Sequence, residues 1–222
     1  DGEATGWRWP RPGAPRLVFS HATGFCASAY RLMLSRLAGA FDVLALDLRG
    51  HGRSRLPADP ARLRSWNVYA ADLASVLDRL GGGSWVLAGH SCGAVVSMLA
   101  ARGRDDAASL ALIEPETMPS LYVLAAHTPL WPALAPHMPL VKGAMSRRAD
   151  WPDRASVAES YARKSLFAGW AEGALGDYLE DGLAETASGV RLACEPAWEA
   201  ATFAAHAYDF WGRRRPRRVP SR

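Results

Sequence analysis

Four short apolar runs, separated by stretches of helical period, constrain this chain more than any other feature. They are Arg16-Leu17-Val18-Phe19-Ser20, Phe41-Asp42-Val43-Leu44-Ala45-Leu46, Trp85-Val86-Leu87-Ala88 and Ser109-Leu110-Ala111-Leu112-Ile113. Runs this short, bounded by turn residues, read as strands buried on both faces. Between them, residues 29–38 space Tyr30, Met33, Leu34 and Leu37 as a helix does. Residues 66–80 repeat the pattern with Val68, Leu73, Val76, Leu77 and Leu80, with Ser65 as a cap and Gly81-Gly82-Gly83 as the stop. Residues 93–101 are apolar nearly all round, which predicts a buried helix. Strands joined by helices in this way demand a mostly parallel sheet with right-handed crossovers and helices on both faces. The expected class is α/β. Such sheets hold ligands at the carboxyl ends of their strands. The loops 21–25, 47–54 and 89–93 should therefore share one rim.

The pattern changes after Glu114. Six Pro lie between Pro115 and Pro139, too many for a long regular helix, and amphipathic stretches follow at 153–168, 174–186 and 196–211. The expected organisation is a core over 1–116, a helical cap over 117–200, a return helix over 201–211 and an Arg-rich tail over 212–222. Five of the nine Trp lie beyond position 130, which gives the second half apolar surface of its own to bury.

Gly89-His90-Ser91-Cys92-Gly93 joins an apolar strand to an apolar helix. In that setting a Gly-x-Ser-x-Gly run forms a turn so tight that larger flanking residues collide and the serine takes strained backbone angles. Ser91 would project above the sheet at a helix N-terminus, where developing negative charge is favoured. The bland alternative is a Gly-rich turn without chemistry.

With the loops His21-Ala22-Thr23-Gly24-Phe25 and Asp47-Leu48-Arg49-Gly50-His51-Gly52-Arg53-Ser54, this motif resembles the α/β-hydrolase superfamily over roughly residues 5–211. The resemblance implies that Ser91 is the nucleophile and that the backbone amides of Thr23 and Cys92 form the oxyanion hole, with Gly24 as an alternative donor. Ala22 stands where many relatives have glycine. His51 and Arg53 are expected to be structural or solvated, and His21 to shape the oxyanion loop. Phe25, His90 and Trp131 are expected to line the substrate site. The thiol of Cys92 is not expected to react.

A serine needs a base, and the base an orienting acid. In the superfamily both follow on later strands. Here no further apolar strand succeeds the cap, so the expectation is an α/β-hydrolase fold truncated, or out of frame, after Trp211. Some relatives place the acid at the end of the strand after the elbow helix, where Glu114 stands. His127, His137 and His206 are the candidate bases, none at the family position. The expected function is hydrolysis of an ester-like small molecule. The alternative is a catalytically incomplete remnant that binds a small molecule or a partner.

The net charge of +4 does not signal a nucleic-acid-binding face. Residues 212–222 hold six Arg and no acid, and the remaining body carries 20 basic against 22 acidic residues, or −2. Three Cys without metal-ligand spacing argue for a reducing cytoplasm and against a disulfide framework. No metal, cofactor or transmembrane span is expected. The oligomeric state is not legible.

Overall fold

A computed structural model describes residues 2–208. Its first half runs β1 (Gly6–Trp9), β2 (Arg16–Ser20), α1 (Arg31–Leu37), β3 (Asp42–Leu46), α2 (Asn67–Leu80), β4 (Trp85–His90), α3 (Cys92–Ala100) and β5 (Ala107–Ile113). The sheet order is β1-β3-β2-β4-β5. All neighbours are parallel except β1, which runs antiparallel to β3. β1 is absent from the sequence reading because Gly-Trp-Arg-Trp is short and shows no buried run. Its pairing depends on Gly6, where a Cβ would meet the Ala45 carbonyl at 2.0 Å.

Register sets the rim. Ser20 pairs with both Leu46 and Gly89, and His90 with Ile113, so β2, β3 and β4 end at one level. The three loops anticipated at the carboxyl edge leave the sheet side by side. Helix α3 lies against that edge with all but Met98 buried, as its apolar circumference demands. The Ser65 hydroxyl accepts from the Asn67 amide at 3.2 Å at the start of α2.

Among the described residues β5 is an edge strand, with Leu110 44% and Ile113 43% exposed. Such an edge is unusual for an apolar strand, because unpaired amides and apolar side chains both face solvent.

The second half departs from a purely helical cap. It contains α4 (Ser120–Ala126), α5 (Trp131–Leu134), α6 (Pro139–Met145), β6 (Asp150–Trp151), α7 (Arg154–Ala162), α8 (Ala174–Gly182), β7 (Leu183–Thr186), β8 (Gly189–Leu192) and α9 (Pro196–Ala204). β6, β8 and β7 form an antiparallel sheet in that order. The amphipathic stretch 174–186 is therefore a helix up to Gly182 and a strand beyond it. A two-residue turn, Ala187-Ser188, leads into β8.

The boundaries at 200 and 201 also shift. Helix α9 spans them and stops at Ala204, so no return helix continues to 208, and residues 209–222, with the Arg-rich tail, lie outside the described residues. Cys194, Trp198, Ala205 and Tyr208 pack into the main core with Trp66, Tyr69 and Val95. Beyond α9 the backbone turns to bond residues 64–65, the Ala207 amide donating to the Arg64 carbonyl at 3.1 Å. Aromatic burial holds it there. Trp66 and Tyr208 stack at 5.0 Å, and Trp66 Nε1 donates to the Thr202 carbonyl at 2.8 Å.

Candidate active site

Ser91 sits between β4 and α3 at φ +54°, ψ −118°. An L-residue held there stores roughly 1–3 kcal/mol of strain. The surroundings leave it no choice. A Cβ on Gly93 would meet the Ser20 carbonyl at 2.1 Å, and one on Gly89 would meet the Gly93 carbonyl at 2.3 Å. The Ser91 amide donates to Ile113 of β5 at 2.9 Å, which pins the turn to the sheet.

Ser91 lines a cavity of about 580 Å³ together with Thr23, Phe25, His90, Glu114 and Glu116 on the core side. Arg147, Tyr161, Lys164, Tyr178 and Glu199 line it from the second half of the chain. Of the sequence-derived set, Cys92 does not line it, and Trp131 is elsewhere. It is buried against Ala126 and Ala135 with Nε1 donating to the Ala204 carbonyl at 2.7 Å, so it is a packing residue.

The loop carrying Thr23 is held at three points. His21 is fully buried; its Nε2 accepts from the Leu48 amide at 2.9 Å, so Nδ1 carries the proton and donates to the Ala22 carbonyl at 2.8 Å. Burial lowers its pKa to about 4, and the ring stays neutral. The Tyr30 hydroxyl accepts from the Ala22 amide at 3.1 Å and meets His90 Nδ1 at 2.8 Å. Tyr178 donates to the Gly24 carbonyl at 3.2 Å. Gly24 itself has φ +77°, and a Cβ there would meet Glu199 Oε1 at 2.5 Å.

Cys92 opens α3, where the first amides of a helix have no intrahelical acceptor. Its thiol is fully buried, and burial drives its pKa far up, which keeps it protonated. Cys26 is pushed up to about 12 for the same reason.

Glu114 follows β5 at φ +43°, largely solvated, with Oε2 3.8 Å from His90 Nε2. Glu116, absent from the sequence reading, is the more enclosed carboxylate. Burial pushes its pKa up, while the Ser91 hydroxyl beside it pulls the other way. The available signal was the pair of acids bracketing Pro115 at a strand end. His127 and His137 are exposed and do not line the cavity. His206 is buried between Trp66 and Trp131, and burial lowers its pKa to about 4. Among the described residues His90 is the only imidazole at the cavity.

The sequence reading also missed Arg147. It pairs with Glu199 and donates to the hydroxyls of Tyr161 at 2.8 Å and Tyr178 at 3.2 Å. Burial opposes its charge, but Tyr178, Glu199 and Tyr161 outweigh burial and hold it protonated. Arg147 was invisible because its partners come from three separate helices. Among the described residues there is no group of three or more His, Cys, Asp or Glu able to hold a metal, and no helix long and apolar enough to cross a membrane.

A mostly parallel sheet whose carboxyl edge carries a strained strand-to-helix turn is the architecture of α/β hydrolases, and this chain belongs to the alpha/beta hydrolase family, whose model matches residues 17–221. A segment of 92 residues is 34% identical to 2-(acetamidomethylene)succinate hydrolase of Mesorhizobium japonicum, covering 41% of this chain and 32% of that protein. Another of 93 residues is 37% identical to an epoxide hydrolase of Caballeronia sordidicola, covering 41% and 28%. The matches thus span about a third or less of these curated relatives. The crystal structure of E-2-(acetamidomethylene)succinate hydrolase has a TM-score of 0.65 at 22% identity, covering 94% of this chain and 75% of that one. That likeness speaks for the fold.

Proposed function

We propose that the protein is a serine hydrolase of small molecules carrying an ester-like bond. Family membership supports hydrolysis of small molecules. The observation that carries the finer reading is Ser91 itself, held at φ +54° on the wall of a cavity that Thr23 also lines. Strain at a strand–helix joint persists where a function needs the side chain presented. In this reading the Ser91 hydroxyl adds to the substrate carbonyl and loses its proton to a base. The Thr23 and Cys92 amides hold the oxyanion. Collapse expels the alcohol or amine, which takes that proton back from the base, and water then adds to the acyl-serine to release the carboxylic acid and free Ser91. Phe25 and His90 belong to the substrate wall, and the segment 117–200 acts as the cap over it. Glu114 remains a candidate acid. The epoxide hydrolase among the relatives does not decide the bond, because acyl transfer is the chemistry a serine supports best. A reducing compartment, the cytoplasm, fits three free buried cysteines.

One observation favours a second reading, binding without turnover. His90, the only cavity imidazole among the described residues, is engaged by Tyr30 and Glu114. A fluorophosphonate probe separates the two. Labelling that vanishes in Ser91→Ala supports the hydrolase, and an unlabelled but folded protein supports binding alone.

A further inference from the structure

Ala22 is gripped through both of its backbone polar groups. Its carbonyl accepts from His21 Nδ1 at 2.8 Å, and its amide donates to the Tyr30 hydroxyl at 3.1 Å. The two anchors differ in what lies behind them. His21 leans on the Leu48 amide, a backbone donor that never changes state. Tyr30 leans on a side chain: its hydroxyl lies 2.8 Å from Nδ1 of His90, the last residue of β4 and the one before Ser91.

The protons allow one direction for that contact. A backbone amide only donates, so the Tyr30 oxygen is the acceptor for Ala22. Burial pushes the Tyr30 pKa up, and the phenol keeps its proton. Among the described residues the hydroxyl has no hydrogen-bond partner besides Ala22 and His90. The phenolic proton therefore goes to Nδ1, which leaves the imidazole proton on Nε2. On that side Glu114 Oε2 stands 3.8 Å away, where its charge favours a proton. The phenol is held on this line by Phe19, whose ring lies 4.7 Å from its own.

We propose that His90 is a positioning residue for the loop 21–25. As an acceptor at Nδ1 it aims the Tyr30 hydroxyl at Ala22, and so ties the loop that presents Thr23 to the strand that presents Ser91. Both ring nitrogens are then committed, one accepting and one protonated, and neither is free to take the serine proton. His90 is thus not the base for Ser91, although its ring also lines the cavity. The catalytic consequence rests on the hydrolase reading; the hydrogen-bond chain does not.

Long-range nitrogen–proton NMR of the full chain, with His90 assigned through its contact with the Tyr30 ring, reads the tautomer without any substitution. A neutral ring protonated at Nε2 is expected in mildly alkaline buffer, and a proton at Nδ1 overturns the proposal. Hydrogen exchange at the Ala22 amide, taken relative to that of Val18 in β2, reads the grip. Tyr30→Phe should speed it about tenfold, the weight of one lost hydrogen bond. His90→Leu should speed it several-fold, because the hydroxyl is no longer aimed. His90→Asn, whose amide oxygen can stand in for Nδ1, should recover most of the protection. Exchange in His90→Leu equal to the parent's, or no recovery in His90→Asn, overturns the proposal. Fluorophosphonate labelling of Ser91 should slow several-fold in Tyr30→Phe and His90→Leu. A parent protein that never labels, yet shows the Nε2 proton and the exchange pattern, loses the hydrolase reading and keeps the positioning role. Labelling in a protein with the proton at Nδ1 does the reverse.

Discussion

The phenol of Tyr178 in α8 donates to the carbonyl of Gly24 at 3.2 Å, across 154 positions of sequence. That one bond ties the second half of the chain to the loop that presents Thr23. Arg147 lies behind it, donating to the same phenol, and its partner Glu199 occupies the space a Gly24 side chain would need. The proposed oxyanion loop therefore leans on a buried ion pair supplied from elsewhere.

Tyr178→Phe removes this bond and leaves the Gly24 carbonyl short of a donor. A buried hydrogen bond lost in this way costs about 1–2 kcal/mol. Urea unfolding should register that loss, and fluorophosphonate labelling of Ser91 should slow several-fold. An unchanged labelling rate would detach the loop's geometry from Tyr178. Arg147→Met should cost more, about 3–5 kcal/mol, because Glu199 is then buried without a partner.

Glycine substitutions divide by space. Gly93→Ala drives a methyl into the Ser20 carbonyl and should lower the melting temperature by many degrees or prevent folding. Gly176→Ala, in α8 with open space around its Cβ, should raise stability by about 0.5–1 kcal/mol through helix propensity. Thermal melts of both proteins decide the matter.

Ser91→Gly should stabilise the fold and, under the proposed function, abolish fluorophosphonate labelling. Glycine accepts φ +54° without the clash a serine Cβ suffers, a gain of about 1 kcal/mol. A melting point at or below that of the parent protein would mean that the turn holds no such strain.

Stability should also fall with acid. His21 and His51 are buried, and burial lowers their pKa values to about 4 and about 3. Unfolded imidazoles titrate near 6.5, so between there and about 4 the unfolded chain binds more protons than the folded one. The contribution of each is complete above about 6.5 and declines as pH drops, by up to about 1.4 kcal/mol per unit. Urea midpoints measured from pH 7 to pH 4.5 should decrease steadily. A flat profile would show that neither ring is buried neutral.

Much of the first half was legible in the chain. The run Arg16–Ser20 is β2 to the residue, and the all-round apolar segment 93–101 is the buried helix α3. Periodicity failed where it was brief or mixed. β1 is four residues held by one glycine, and β7 follows α8 without a break in amphipathic pattern. Trp131 reads as a substrate-site residue in the sequence because a large apolar residue in a Pro-rich stretch announces burial without naming its partner.

Local order and apolar period determined the α/β class, the three loops of the rim and the strained turn at Ser91. These depend on neighbours along the chain, where propensity and close approach operate. Tertiary structure alone decided that Glu116 stands beside Ser91, that Arg147 braces Glu199 and two tyrosines, and that Lys164 faces the same cavity. Those groups come from helices and turns far apart in sequence, and the Arg147–Glu199 pair gains its strength only once partial burial removes water that would have screened it.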